Sequence, residues 1–219
     1  MRLAAADELV FDYTRLMMGF LLFRATPARI ALIGLGGGSL AKFCHRHLPR
    51  TRIDAIELDA RVIALRDAFA IPRDDRRLRV RLGDGVDFVA RHACAFDAIL
   101  LDGYDEDGMP ARLRSVRFAA ACRAALRTRG LLVINVDRDD PGFDRLLQRL
   151  NAAFDEAVFA VDDNDRGNAI VFAGAPVRRA VGLIARPETL DRVAWAQLVT
   201  AFARVRAAQH RWLAGEPAD

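Results

Sequence analysis

The chain has 219 residues, 53% of them hydrophobic, and its formal net charge at pH 7 is +4. This length fits one α/β domain with short extensions. A mean hydropathy of +0.08 is typical of a protein that is not embedded in a lipid bilayer. The longest early apolar stretch, residues 16–23, is too short to span a membrane, and the acidic residues ahead of it argue against a signal peptide. We therefore expect a cytoplasmic protein without a membrane partner.

The cysteines and arginines narrow the classes of partner further. Cys44, Cys94 and Cys122 are scattered along the chain, as is typical of reduced thiols. Residues 44–47 read Cys-His-Arg-His, but no second ligand cluster accompanies them, so we expect no metal site. The arginines alternate with acidic residues and form no basic block interleaved with aromatic residues, so we expect no nucleic-acid partner.

Apolar runs and helical patterns alternate from the first residues onward. An N-terminal helix over residues 7–23 precedes predicted strands at 29–34, 52–57, 78–82, 96–101 and 131–136. The helices predicted between and after these strands cover residues 39–47, 60–69, 86–91, 114–126 and 143–154. Two last strands, 156–161 and 168–173, flank a polar, turn-rich segment and predict an antiparallel hairpin.

This alternation predicts an α/β fold with a doubly wound, mostly parallel sheet closed by a C-terminal antiparallel hairpin, the Rossmann-like arrangement of class I methyltransferase-like folds. We divide the chain into an N-terminal helical segment (1–24), a nucleoside-binding domain (25–176) and a C-terminal helical extension (177–219) with a long helix over about 187–213. The first segment either forms a lid over a ligand or packs on the sheet edge. The last either supplies a homodimer interface or packs on its own domain.

A glycine-rich turn follows the first predicted strand. Residues 30–38 read Ile-Ala-Leu-Ile-Gly-Leu-Gly-Gly-Gly, so Gly34, Gly36 and Gly38 lie where a strand passes into a helix. Missing side chains let the backbone approach a ligand, and N–H groups at the helix start favour an anionic or polar group. A purely structural turn is the alternative. The spacing is tighter than the pattern that binds nicotinamide dinucleotides.

Carboxylates close three successive predicted strands. Glu57 can accept both hydroxyls of a ribose, whereas Asp59 is predicted to cap the next helix. Asp84 can accept from the exocyclic amine of adenine, with Gly85 leaving room for the ring, and a helix N-cap is its alternative role. Asp102 lies at the carboxyl edge of the sheet, where it either binds a cationic amine or acts as its general base.

These acids and the glycine turn predict an adenosine with a positively charged tail. S-adenosylmethionine and its decarboxylated form, each bound as a donor substrate, match that description. Tyr104 is placed to stack on a base or to line the pocket of the acceptor, and Asp105 adds negative charge at its mouth.

The chain resembles the spermidine synthase (polyamine aminopropyltransferase) family from about residue 13 to residue 173. The matching segments are Tyr13-Thr14, Ile33-Gly-Leu-Gly-Gly-Gly38, Ile56-Glu-Leu-Asp59, Gly83-Asp-Gly85 and the run from Phe96 to Asp105. The resemblance implies that Glu57 holds the ribose, Asp84 the adenine, and that Asp102 deprotonates the attacking amine. It also implies that Tyr13 and Thr14 line the acceptor channel and that Asp105 helps to bind the polyamine.

The chain departs from that family at three places. The family's glycine turn usually carries an aspartate that faces the aminopropyl ammonium, where this chain has Gly37. The family's loop after the catalytic acid usually reads Asp-Ser/Thr-x-Asp-Pro, where this chain has Asp102-Gly-Tyr-Asp105-Glu106. Only residues 1–12 precede Tyr13, so we expect no counterpart of the family's N-terminal β-domain. Without an acid at position 37, the carboxylate of intact S-adenosylmethionine is no longer repelled.

The sequence therefore predicts a transferase that moves an aminopropyl or methyl group from sulfonium to a small nucleophile, such as an amine. Catalysis would depend mainly on alignment of the two reactants, with Asp102 as base or amine anchor. The alternative is a non-catalytic nucleoside-binding protein that retains the pocket.

Overall fold

A computed structural model describes residues 7–105, 108–164 and 167–216. Its centre is a seven-stranded sheet in the order β3-β2-β1-β4-β5-β7-β6, in which β7 runs antiparallel to both β5 and β6 and the other neighbours are parallel. This topology confirms the predicted fold class. The strands are β1 (Arg29–Ile33), β2 (Arg52–Glu57), β3 (Leu78–Leu82), β4 (Phe96–Leu101), β5 (Leu126–Asp137), β6 (Val158–Asp162) and β7 (Asn168–Ala173).

Helices cover both faces of the sheet and bury two apolar clusters. One cluster includes Phe43 and Phe202, and the other, on the opposite face, includes Phe118 and Phe143. The α-helices are α1 (Asp12–Met17), α2 (Ser39–His47), α3 (Ala60–Ala64), α4 (Gly85–Ala90), α5 (Val116–Ala125), α6 (Phe143–Ala153) and α7 (Arg192–Ala214). Short 3-10 helices span Met18–Leu22, Ala111–Arg114 and Ala175–Arg178.

The strand order reverses between β1 and β4, which are neighbours in the middle of the sheet. The chain passes from β1 outward to β2, but from β4 outward to β5 on the other side. Open α/β sheets bind ligands in the crevice at such a point, beyond the carboxyl ends of the strands. Gly34 and Asp102 follow β1 and β4 directly, and the Asp102 N–H donates to the carbonyl of Ile33 at 2.8 Å.

Several predicted element boundaries are wrong because tertiary contacts override local pattern. α3 ends at Ala64 rather than at residue 69, and the turns that follow are held by the Lys42 ammonium, which donates to the carbonyl of Phe69 at 2.7 Å. β5 begins at Leu126, directly after α5, because Leu126 pairs with Phe96 where the sequence predicted a helix end and a loop.

The strand β6 and the final helix also start later than predicted, whereas β7 has its predicted bounds. Positive φ angles of 53° and 63° at Asp155 and Glu156 delay the start of β6 to Val158. α7 begins at Arg192 rather than near residue 187, because the Asp191 carboxylate caps it by accepting from the N–H of Ala194.

The two terminal segments pack on each other and on the sheet. The predicted N-terminal helix divides into α1 and the 3-10 helix, whose Gly19 lies so close to α7 that a Cβ there would be 2.9 Å from Val205. Asp12 of α1 forms an ion pair with Arg204 of α7. In the described part of the chain, no helix is both long and apolar enough to cross a membrane.

Candidate active site

The glycine turn after β1 is shaped by its close approach to β4. Gly34 has a φ of +96°, and a Cβ at this position would lie 2.0 Å from the carbonyl oxygen of Asp102. Gly36 has a φ of +49° but faces open space, with no heavy atom within 4 Å of its Cβ position. Gly38 is the N-cap of α2. Gly34 is therefore required by the fold, whereas the open side at Gly36 leaves the backbone accessible to a ligand.

Glu57 connects the end of β2 to the glycine turn. Its Oε2 accepts from the N–H of Leu35 and its Oε1 from the N–H of Asp59, each at 2.9 Å. Each carboxylate oxygen has a further lone pair available, so these bonds orient Glu57 without exhausting it as an acceptor for ribose hydroxyls. Asp59 accepts from the N–H of Arg61 at 2.7 Å, which confirms its predicted role as a helix cap.

Asp84 adopts the alternative role that the sequence left open. It is the N-cap of α4, accepting from the N–H groups of Val86 at 2.7 Å and Asp87 at 3.3 Å, and it forms an ion pair with Arg112. Contact with an adenine stays a prediction for this residue. Gly85 has a structural reason of its own, because a Cβ there would lie 2.3 Å from Ile33.

Exposed leucines that the sequence pattern did not single out flank these acids. Leu58 follows Glu57 and is 67% exposed, and Leu82, at the end of β3, is 62% exposed. Both extend from the carboxyl ends of neighbouring strands, where a flat apolar ring would bury them. The signal available in the sequence was the position of Leu58 between two acidic residues, Glu57 and Asp59.

Asp102 is a partly buried carboxylate held by two neutral donors. The Tyr13 hydroxyl donates to Oδ2 at 3.2 Å, and the Asn135 amide donates to Oδ1 at 3.0 Å. Burial raises the pKa of Asp102, and these two hydrogen bonds only partly oppose that rise. Asp102 forms no ion pair with a described residue, so its charge is balanced by no neighbouring cation.

Asn135, on β5, is a second residue that the sequence analysis missed. Its side chain is buried, and its amide oxygen has no hydrogen-bond partner among the residues that are described. Nothing in the sequence distinguishes this asparagine from other polar residues in strands. Its position beside Asp102 follows only from the pairing of β4 with β5.

Tyr104 joins the loop after β4 to the end of β5. Its hydroxyl donates to the carbonyl of Asn135 at 3.2 Å and accepts from the N–H of Asp137 at 2.6 Å. Burial raises the pKa of the Tyr104 phenol. The hydroxyl is thus committed to the backbone, while the side chain remains 40% exposed.

A small cavity lies between α1 and the glycine turn and reaches Asp102. Its volume is about 60 Å³, and the residues lining it include Tyr13, Thr14, Gly34, Gly36, Ser39 and Asp102. That is room for about two water molecules. Asp84 and Asp105 lie outside this lining; Asp105 is exposed and its N–H donates to the carbonyl of Gly108 at 3.0 Å.

Across residues 7–105, 108–164 and 167–216, no group of three His, Cys, Asp or Glu side chains could hold a metal ion.

Residues 10–142 match the family described as the Spermine/spermidine synthase domain. The match covers more than half of the chain and includes the glycine turn, Glu57, Asp84 and Asp102. The chain belongs to the spermine/spermidine synthase family.

Individual relatives carry the names of two kinds of transferase. A polyamine aminopropyltransferase of Neisseria meningitidis serogroup A is 35% identical over 175 residues, which are 79% of this chain and 66% of the relative. A mouse eEF1A lysine and N-terminal methyltransferase is 34% identical over 146 residues, 61% of this chain and 21% of that protein. The chain thus spans just under two thirds of the bacterial relative's length.

The fold is also shared with a solved methyltransferase. The crystal structure of human methyltransferase-like protein 13 in complex with SAH superimposes with a TM-score of 0.63 at 22% identity, covering 90% of this chain and 89% of the human one. This chain and the human methyltransferase therefore share a fold.

Proposed function

We propose that this chain is a transferase that moves an alkyl group from an adenosyl sulfonium donor to an amine, with Asp102 as the general base. The observation that carries this proposal is the partly buried Asp102 carboxylate, which has two neutral donors and lines the cavity beside the glycine turn. Membership of the spermine/spermidine synthase family supports it.

The open side of the turn fits a nucleoside donor. A side chain at Gly36 would fill the space through which a ligand can reach the backbone. Glu57 lies at the edge of this turn, and its carboxylate oxygens have further lone pairs that can accept hydrogen bonds. When bound, the donor supplies an electrophilic carbon on a positively charged sulfur; the amine lone pair forms the new C–N bond while the electrons of the C–S bond remain on sulfur.

Asp102 would hold and then deprotonate the amine. Tyr13 and Asn135 fix its two oxygens, so the carboxylate has one orientation toward the cavity. The proton that leaves the nitrogen is accepted by Asp102, and burial favours this step because it raises the pKa of the carboxyl. Most of the rate enhancement would come from alignment of the amine with the donor carbon.

The first candidate donor is intact S-adenosylmethionine, with transfer of methyl. Asp102 is the one carboxylate among the described residues that line the cavity, and Gly37 provides no acid to bind an aminopropyl ammonium. N–H groups at the start of α2 favour the carboxylate that the intact donor retains. The 34% identity to the mouse methyltransferase supports this candidate.

The second candidate donor is decarboxylated S-adenosylmethionine, with transfer of aminopropyl. It is favoured by the 35% identity to the Neisseria polyamine aminopropyltransferase over 79% of this chain. In this reaction the product of the donor is methylthioadenosine, whereas methyl transfer yields S-adenosylhomocysteine.

Calorimetric titration with both donors, followed by turnover with putrescine and a panel of amines, tests the proposal. We expect one donor to bind and its own nucleoside product to accumulate with an amine present. Asp102→Asn should lower turnover about 100-fold or more, since general base catalysis contributes that much, and Asp155→Asn, at an exposed aspartate beyond the end of α6, serves as the matched control. Binding of neither donor, or full activity of Asp102→Asn, would overturn the proposal.

Gly37→Asp tests the choice of donor directly. A Cβ at Gly37 would meet only the Phe69 ring, at 3.6 Å, so an aspartate fits here without displacing the backbone. We expect its charge to weaken binding of intact S-adenosylmethionine about tenfold or more and to strengthen binding of the decarboxylated donor. Gly37→Asn, similar in size but uncharged, is the control; equal effects of both variants would assign the change to bulk rather than charge.

A further inference from the structure

The fold gathers arginines from three strands on one uncovered face of the sheet. In the register of the sheet, Arg29 of β1 lies beside Arg52 of β2, and Asp54 of β2 lies beside Arg79 of β3. Side chains alternate between faces along a strand, so Arg52 and Asp54 share the face of Ile56, which belongs to the core cluster under α4, α5 and α6. That cluster ends at Ile56, and the arginines continue the same face beyond it.

These side chains line a groove of about 410 Å³ with a strong excess of positive charge. Its charged lining residues are Arg29, Arg52, Arg76, Arg77, Arg79 and Arg81, with Asp54 as the one carboxylate. Within this lining, six positive charges and one negative charge give a net charge of +5; Asp74 and Asp75 border it in an adjoining groove that shares Arg76, Arg77 and Arg79. We call the six arginines and Asp54 the arginine face.

Half of these guanidinium groups have no partner within the described chain. Asp54 is buried and accepts from Arg29 at 2.9 Å and from Arg81 at 3.4 Å, and Arg77 donates to backbone carbonyls. The side chains of Arg52, Arg76 and Arg79 are exposed and form no hydrogen bond or ion pair with any described residue. Repulsion among like charges is relieved most directly by an anion from outside.

The shape of the arginine face indicates an extended anion with repeated charges. A second groove of about 380 Å³ shares Arg29 and Arg81 but also contains Asp84 and Phe88, so the arginine face is confined to the groove of 410 Å³. Adjacent strands lie about 4.8 Å apart, which separates the guanidinium groups into a row rather than a single cradle. Arginine binds phosphate with two parallel hydrogen bonds, and a row of arginines suits a chain of phosphates.

We propose that the arginine face binds the phosphate backbone of a nucleic acid without reading its bases. The groove of 410 Å³ has no aromatic side chain in its lining, so it offers no platform on which bases would stack. It starts at the amino ends of β1 and β2, whereas Asp102 and Glu57 lie at carboxyl ends. Binding here is independent of the proposed transfer reaction. The proposal differs from the expectation drawn from the sequence, that no nucleic acid is bound, because the arginines are dispersed in sequence and adjacent only in the fold.

Fluorescence anisotropy with labelled 20-base-pair DNA and RNA duplexes, at salt concentrations from about 50 to about 200 mM, tests this site. The variant carries Arg52→Gln, Arg76→Gln and Arg79→Gln. The control carries Arg117→Gln, Arg123→Gln and Arg145→Gln, three exposed arginines of α5 and α6 that change the net charge equally. The two duplexes identify which nucleic acid is preferred.

We expect the affinity for duplexes to fall steeply as the salt concentration rises. The triple variant of the arginine face should reduce the slope of log K against log salt by about 2 to 3, because each phosphate contact contributes about 0.9. The control variant should keep most of the affinity. Absence of duplex binding at the lowest salt, or equal losses in both variants, would overturn the site. So would stronger binding of polyglutamate than of either duplex, which would indicate an acidic protein as the partner.

Discussion

At the scale of single residues, the pair of Asp102 and Asn135 sets the chemistry of the site. Removing a carboxylate from water even in part, without a cation beside it, costs free energy, and the Asn135 amide lowers that cost by donating to Oδ1 at 3.0 Å. The other end of the amide, its buried oxygen, has no partner among described residues. Asn135 therefore acts on Asp102 through one hydrogen bond. Removing the amide takes a donor from Asp102 Oδ1 but leaves no other described side chain without its partner, because the amide oxygen accepts no hydrogen bond.

Asn135→Leu should move the acid limb of the pH profile of kcat/KM to higher pH. Burial raises the pKa of Asp102 and the Asn135 hydrogen bond lowers it, so loss of this bond leaves the effect of burial less opposed. Because the ionised form is the active base, activity then disappears at a higher pH as the solution is acidified. The limb is measured with the amine and donor identified by titration.

Tyr104→Phe is the matched control for this shift. It removes hydrogen bonds to the backbone of β5 but none to the Asp102 carboxylate. An acid limb that moves equally in both variants would mean that Asn135 acts through the position of β5 rather than through its amide.

At the scale of elements, the sequence pattern predicted features set by residues close together in the chain and missed contacts between residues far apart in the chain. The strands around the glycine turn and the cap at Asp59 depend on neighbours within a few residues, and these predictions are confirmed. The bond from Tyr13 to Asp102 spans 89 positions and that from Asn135 spans 33, so no periodicity or spacing encodes them. Asp84 is an intermediate case. The sequence left both adenine binding and helix capping open for it, but it did not predict the ion pair with Arg112.

Gly34→Ala tests the element in which β1 passes into the glycine turn. The φ of +96° and a Cβ position 2.0 Å from the Asp102 carbonyl oxygen leave no room for a methyl group. We expect a loss of about 2 kcal/mol or more in the free energy of unfolding, measured by urea denaturation.

Gly83→Ala provides the comparison for that loss. This glycine also follows a strand of the same sheet, but no heavy atom lies within 4 Å of its Cβ position. We expect it to change stability by about 0.5 kcal/mol or less. Similar losses at both positions would contradict the tight contact between the turn and β4.

At the scale of the whole molecule, a buried histidine connects three separate segments. His47, at the end of α2, lies 3.5 Å from Asp7 in the N-terminal segment and 3.8 Å from Asp191, the cap of α7. Burial lowers the pKa of His47, and the two aspartates only partly oppose this effect. The folded protein therefore binds a proton at this site less readily than the unfolded chain does.

The sign of this shift predicts how stability depends on pH. Above the unfolded pKa of about 6.5, His47 is neutral in both states, and below it the unfolded state gains protons first, so stability decreases as pH falls. His47→Gln should show a smaller loss of unfolding free energy than the natural chain between about pH 7.5 and about pH 5. The exposed His210→Gln is the control, and an equal change in both variants would assign the dependence to other groups.

Tyr13 has a kinetic consequence for the proposed reaction. Its hydroxyl donates to Oδ2 of Asp102 and the Asn135 amide donates to Oδ1, and each oxygen keeps a further lone pair to which an amine can donate. Tyr13 belongs to α1, which packs on α7, so the orientation of the proposed base depends on how the N-terminal segment is docked. Loosening of α1 would therefore lower the rate of transfer without removing any group that touches the donor.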